Sequence, residues 1–253
     1  MVATLSHIAE AFLLGIAGGA VGGLFGIGGG VVVIPLLGFV FGLNQQVAQG
    51  SALIMVVPNV IVAFWRYWQR VGLDLRMAAT LAVTGLLTTY PVALFATRLN
   101  PRYLRVAFAG FLIVLAVIVA YRTWHGLLAS TQRKPLNWPW TAPLGVLGGV
   151  VSGLFGVGGA FVAPPILTAF FGVRQTAAQG LGLAIVCPGA TIALVTYAGA
   201  GQVDWAIGVP LAIGGTLAIS AGVAAAHRLP ERPMRFAFCA LATVSACLLV
   251  LRA

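Results

Sequence analysis

The stretch Gly22-Gly23-Leu24-Phe25-Gly26-Ile27-Gly28-Gly29-Gly30 returns as Ser152-Gly153-Leu154-Phe155-Gly156-Val157-Gly158-Gly159-Ala160, an offset of 130 residues. Each copy sits inside a long apolar segment and is followed at the same distance by a proline, Pro35 or Pro165. Consecutive glycines weaken a helix by about 1 kcal/mol each relative to alanine. Two interruptions of the same design are therefore built into otherwise helix-forming sequence.

The solvent around those segments follows from composition. Of 253 residues, 60% are hydrophobic and only 7% are charged, where a soluble domain carries roughly a quarter charged. Mean hydropathy is +1.05. Too few polar groups exist to cover a water-facing surface, so the surrounding medium is lipid. Apolar runs of roughly 20 residues, the length a span needs, fall at 11–43, 47–69, 75–97, 103–123, 142–172, 177–199, 204–227 and 233–251. Met1 to Glu10 contains no Lys or Arg, so the first span is expected to be retained rather than cleaved as a secretory signal.

The halves match throughout at one offset. Gln45 maps to Gln175, Gln49 to Gln179, Pro58 to Pro188, Asp74 to Asp204, Gly85 to Gly215, and Arg102 and Arg105 to Arg232 and Arg235. The expected fold is an all-α polytopic membrane protein with eight hydrophobic segments as two homologous four-segment repeats. Residues 1–124 form the first, 125–140 a cytoplasmic linker, and 141–253 the second.

Segments one and five decide whether the repeats are parallel or inverted. Residues 11–43 as one helix would reach about 50 Å, far beyond the ~30 Å hydrocarbon core. A pair of re-entrant half-helices, broken at the glycines, fits that length and returns the chain to its side of entry. If every segment crosses once, the fourteen basic residues split seven against seven. If segments one and five are re-entrant, ten share the linker face, and Arg98, Arg102, Arg105 and Arg252 lie opposite. The second count satisfies the positive-inside rule. It predicts inverted repeats, a cytoplasmic linker and both termini outside.

Net charge is +10, which in a soluble protein would suggest nucleic acid. Here the arginines sit between spans, where they orient the chain and meet anionic lipid, so no nucleic-acid partner is expected. Cys187, Cys239 and Cys247 lie in apolar runs without metal-ligand spacing, and they read as packing residues. No metal, cofactor or catalytic group is expected: no Lys-Ser/Thr follows Gly26 to Gly30, the third glycine of a dinucleotide fingerprint is missing, and no nucleophile–base pair stands out.

Two readings of the glycines remain. Gly15, Gly19 and Gly23, like Gly145, Gly149 and Gly153, are spaced by four, which lets helices approach closely. This permits a homodimer without requiring one. Gly26, Gly28, Gly29 and Gly30, with Gly156, Gly158 and Gly159, are less well explained by packing. A half-helix starting there would aim its positive end and free N–H groups at a cavity. Two such ends would hold an anion near the midplane. Gln49 and Gln179, one turn inside their helices, can donate amide N–H to the same anion. Gln45 and Gln175 read as caps or loop residues. Asn59, Ser51 and Thr191 read equally as cavity lining or as interhelical links. Thr80, Thr84 and Thr88 read as packing beside a path, Asp74 and Asp204 as N-caps, and His7, His125 and His227 as interfacial. No carboxylate lies at a span centre, which disfavours a carboxylate proton relay.

The duplicated G-L-F-G-[IV]-G-G-[GA]…P motif, the Q-x-A-Q-G that follows it, and the eight-segment layout resemble the TauE/SafE family. That resemblance implies transport of sulfur-containing anions, sulfite or organosulfonates, with export as the expected direction, across the bacterial inner membrane. A potential-driven anion channel, or a transporter of another small ion or sulfur compound, is the alternative.

Overall fold

The computed structural model describes residues 5–124, 137–157, 163–226 and 231–251. Among them every regular element is helical. The helices are α1 (Leu5–Phe25), α2 (Gly30–Phe41), α3 (Gln45–Val71), α4 (Leu75–Arg98), α5 (Pro101–Trp124), α6 (Ala142–Phe155), α7 (Ala163–Phe171), α8 (Gln175–Gly199), α9 (Trp205–Ala226) and α10 (Glu231–Val250). A single 3-10 turn, Trp138–Thr141, leads into α6. Six of these helices, α1, α3, α4, α5, α8 and α9, are long and apolar enough to cross a membrane. Large apolar side chains such as Leu87, Phe95, Val117 and Leu217 face outward, as they do where lipid rather than water is the solvent. In lipid each backbone group must be satisfied within its own segment, and helices meet that demand locally.

Polar residues mark where these helices begin. Asn44 Oδ1 accepts from Val47 N at 2.9 Å and caps α3. Asp74 Oδ1 accepts from Arg76 N and Met77 N at the start of α4. Asp204 Oδ1 does the same for Ala206 N and Ile207 N at α9. Both aspartates are thus N-caps. The expected cap at Gln45 is instead Asn44, because its short side chain reaches back to the first turn. Gln45 itself is turned inward and is only 3% exposed.

Glycine faces set how the helices stack. A Cβ on Gly15, Gly19 or Gly23 would run into the carbonyl oxygens of Leu211, Gly215 and Ile219. Numbers rise together on both sides, so α1 and α9 run parallel, backbone against backbone. Gly145, Gly149 and Gly153 lie in the same way along Thr84, Gly85 and Thr89, so α6 runs parallel to α4. Of the stripe Thr80, Thr84 and Thr88, the last two form part of this α4–α6 interface. Each threonine hydroxyl donates to the carbonyl four residues back, which satisfies it internally.

The centre belongs to α3 and α8, the most enclosed of the long helices. They are antiparallel: Gln49 near the start of α3 meets Tyr197 near the end of α8, and Tyr67 near the end of α3 meets Gln179 near the start of α8. Helix α9 runs parallel to α3, with Gly50 against Gln202 and Gly208 against Ile54. Helix α4 runs parallel to α8, with Gly85 against Ile185 and Gly189 against Thr89.

Segment one is divided at the glycines into two helices of unequal length. Helix α1 has 21 residues, ~31 Å, and α2 has 12, ~18 Å. The asymmetry arises because Gly15, Gly19 and Gly23 pack on α9 and keep α1 helical as far as Phe25. The chain then turns and α2 folds back along α1, with Val33 against Gly18 and Gly29 against Gly22. Pro35 lies inside α2, and Pro58 and Pro188 lie inside α3 and α8.

Candidate substrate site between the glycine turns

The reversal from α1 to α2 needs three left-handed residues. Gly26, Gly28 and Gly29 have φ of 71°, 72° and 90°, a region that L side chains avoid. The link also closes on itself, with Ile27 N donating to Gly22 O at 2.9 Å. These glycines do not share one environment. A methyl on Gly26 would meet nothing within 4 Å. One on Gly28 would sit 2.8 Å from Val60 Cγ1 and 3.1 Å from Val56 Cγ1. One on Gly29 would strike the Gly18 carbonyl. The Gly28 carbonyl accepts from Asn59 Nδ2 at 3.4 Å, so Asn59 braces the turn from mid-α3.

The second motif ends α6 in the same manner. Gly156 has φ of 66° and its N–H donates to Ser152 O at 2.9 Å. Gly158, Gly159, His125 and His227 lie outside the described residues, as does the side chain of Gln175. The two motifs approach each other at Gly30. A methyl there would lie 3.6 Å from Val157 Cα and 3.7 Å from the Gly156 carbonyl oxygen. Gly30 also opens α2, and the first turn of a helix holds N–H groups without intrahelical partners.

Gln49 borders this junction. A methyl on Gly156 would stand 3.6 Å from Gln49 Cβ, and the Gln49 side chain is fully buried. Its Oε1 accepts from Tyr197 Oη at 3.0 Å, while its Nε2 has no hydrogen-bond partner among the described residues. A buried donor left unpaired costs about 1–3 kcal/mol. In the other half Tyr67 Oη donates to Gln179 Oε1 at 2.9 Å, and Gln179 is half-buried. Gln45 Nε2 and Ser152 Oγ are likewise buried without a partner.

The remaining polar residues serve as links. Ser51 Oγ accepts from Asp204 N at 2.9 Å and ties α3 to the start of α9. Thr191 is exposed and donates to the Cys187 carbonyl of its own helix, which removes it from the interior. Among the described residues, no Asp, Glu, Lys or Arg is buried, and no group of three or more His, Cys, Asp or Glu could hold a metal ion.

Sequence reading passed over the two tyrosines. The signal was available, because Tyr67 maps onto Tyr197 at the same offset as the glutamines. Each lies beyond a mid-helix proline, far along the chain from the glutamine it holds.

Helices of this length and apolarity, enclosing buried amides between two glycine turns, define a multi-pass membrane protein. The model of the sulfite exporter TauE/SafE family matches residues 11–249, and the chain belongs to that family. A "Probable membrane transporter protein" of Methanocaldococcus jannaschii is 31% identical over 178 residues, which cover 68% of this chain and 66% of that relative. One from Xylella fastidiosa is 29% identical, with 84% of each chain covered. YjnA of Bacillus subtilis, named in the same way, is 23% identical over 92% of this chain and 96% of its own. These relatives are named as transporters rather than enzymes.

Proposed function

We propose that this chain is a secondary transporter or facilitator for a small sulfur-containing anion, sulfite or an organosulfonate, exported across the bacterial inner membrane. The anion sits between the two glycine turns. Backbone N–H groups at the start of α2 and the Gln49 amide donate to it, whereas Gln179, bonded to Tyr67 near the far end of α3, lies ~27 Å farther along that helix and does not reach the same anion.

The carrying observation is the junction of Gly30 with Gly156 beside Gln49, a fully buried amide whose N–H₂ has no partner among the described residues. Donors without carboxylates nearby suit an anion with several acceptor oxygens. The antiparallel run of α3 and α8, equivalent under the sequence offset, supports inverted repeats related by an axis in the membrane plane. The paired packing of α1 on α9 and α6 on α4 supports the same relation. Transporters of that design bind substrate at the repeat interface and alternate access by moving one unit against the other. With no buried acid or base described, the driving force comes from the substrate's own protonation, from an ion on backbone and amide oxygens, or from the membrane potential. The last supplies about 2.3 kcal/mol per charge per 100 mV.

Uptake of labelled sulfite by proteoliposomes at set potentials tests this, with sulfate, thiosulfate, taurine and sulfoacetate as competitors. Saturable flux blocked by one competitor is the expected result. Counterflow separates a transporter from a channel, which gives none. Folded protein that moves none of these anions overturns the reading.

A further inference from the structure

We infer that Tyr197 is a positioning residue that sets the substrate preference, by fixing the amide of Gln49 in the other half. The inference rests on the anion-transport reading above and deepens it.

A glutamine amide offers a donor end and an acceptor end of nearly equal shape. Which end meets a ligand depends on what holds the other. Tyr197 Oη stands 3.0 Å from Gln49 Oε1, and the backbone carbonyls of Leu154 and Gly153 lie farther off, at 3.4 and 3.5 Å. The hydroxyl hydrogen therefore goes to Gln49 Oε1. That leaves Nε2 as the end without a partner among the described residues, on a side chain that borders the Gly156 turn. Tyr197 and Gln49 are both fully buried, so water does not compete for either. The arrangement occurs twice. Tyr67 Oη donates to Gln179 Oε1 at 2.9 Å, and Tyr67 is itself buried.

The Gln49 amide thus keeps its oxygen occupied and leaves its N–H₂ for a ligand at the Gly156 turn. A site lined in this way accepts fully deprotonated oxyanions and disfavours species that must donate a hydrogen bond. Tyr197 does not touch the substrate. It sets which end of the amide does.

Four purified variants in proteoliposomes decide the matter, with labelled sulfite as the probe: Tyr197→Phe, Gln49→Leu, their double variant, and Gln49→Glu. Sulfite-dependent thermal shift in detergent gives a second readout. Tyr197→Phe keeps the ring and its packing. It is expected to raise KM for sulfite roughly three- to tenfold, the weight of one neutral hydrogen bond, with maximal flux nearly unchanged. Added to Gln49→Leu, it should cost nothing further, since its effect passes through that amide. Gln49→Glu preserves shape and still accepts from Tyr197, but presents an oxygen where Nε2 stood, so sulfite binding should vanish. Unchanged KM in Tyr197→Phe, additive loss in the double variant, or sulfite binding retained in Gln49→Glu each overturns the inference while leaving anion transport standing. A wild-type protein that neither moves nor binds any anion of the panel overturns both.

Discussion

Gly19 on α1 and Gly215 on α9 meet backbone to backbone, so that a Cβ on Gly19 would overlap the Gly215 carbonyl oxygen. This is the middle of three such contacts one turn apart, and it seats the first helix of one half along the ninth. Gly19→Ala is expected to part the helices at a cost of about 1–3 kcal/mol, the usual range for overpacking. Gly110→Ala on α5 has nothing within 4 Å to meet and should leave stability unchanged or higher. Thermal unfolding of both in detergent checks the contrast. Equal melting temperatures would mean that the α1–α9 contact does not govern stability.

The turn glycines should divide by crowding as well as by backbone. Gly26 and Gly28 share left-handed φ values of 71° and 72°, which asparagine tolerates better than other non-glycine residues. Gly26 has open space, whereas Gly28 faces Val60 and Val56. Gly26→Asn should therefore yield folded protein in near wild-type amount, and Gly28→Asn should not. Expression yield with size-exclusion profile reads the pair.

Gln49 and Gln179 should separate stability from function. The buried Gln49 Nε2 has no partner among the described residues, so Gln49→Leu removes an unpaired donor and should change unfolding by less than about 1 kcal/mol, the lost Tyr197 bond offsetting the gain. Flux should fall at least tenfold. Gln179→Leu, beside Tyr67 at the other end of α3, should leave sulfite affinity unchanged. Loss of stability with intact affinity in Gln49→Leu would assign that residue to packing.

Topology gives a prediction independent of substrate. Helices α1, α3 and α9 run one way and α4, α6 and α8 the other, so the start of α1 and the end of α5 lie on opposite faces. With Cys187, Cys239 and Cys247 replaced, a cysteine at Ser6 should react with an impermeant reagent from outside intact cells. One at Arg133 should react only after lysis. Both reacting from the same side would refute inverted halves.

Much of this architecture was legible along the chain because its causes are local. Apolar runs of span length, the aspartates that cap α4 and α9, and clustered glycines each report what the nearest backbone must do in lipid. The boundaries of α3, α4, α5 and α8 fall within about two residues of the apolar runs that announced them. Ser51 and Thr191 could not be sorted in this way. One ties α3 to the start of α9 and the other faces outward, and which face of an apolar helix is buried depends on its neighbours.

The sequence by itself determined a lipid-embedded helical bundle, a duplicated unit, and two glycine turns with glutamines at matched positions. Only the tertiary structure decided that α1 pairs with α9 rather than within its own half, that α1 stays helical to Phe25, and that Tyr197 holds Gln49 across 148 residues of chain. The physical reason is that helix formation is settled by neighbouring residues. The partner of each helix is settled by which small-residue faces fit backbone to backbone, and no spacing along one segment records that fit.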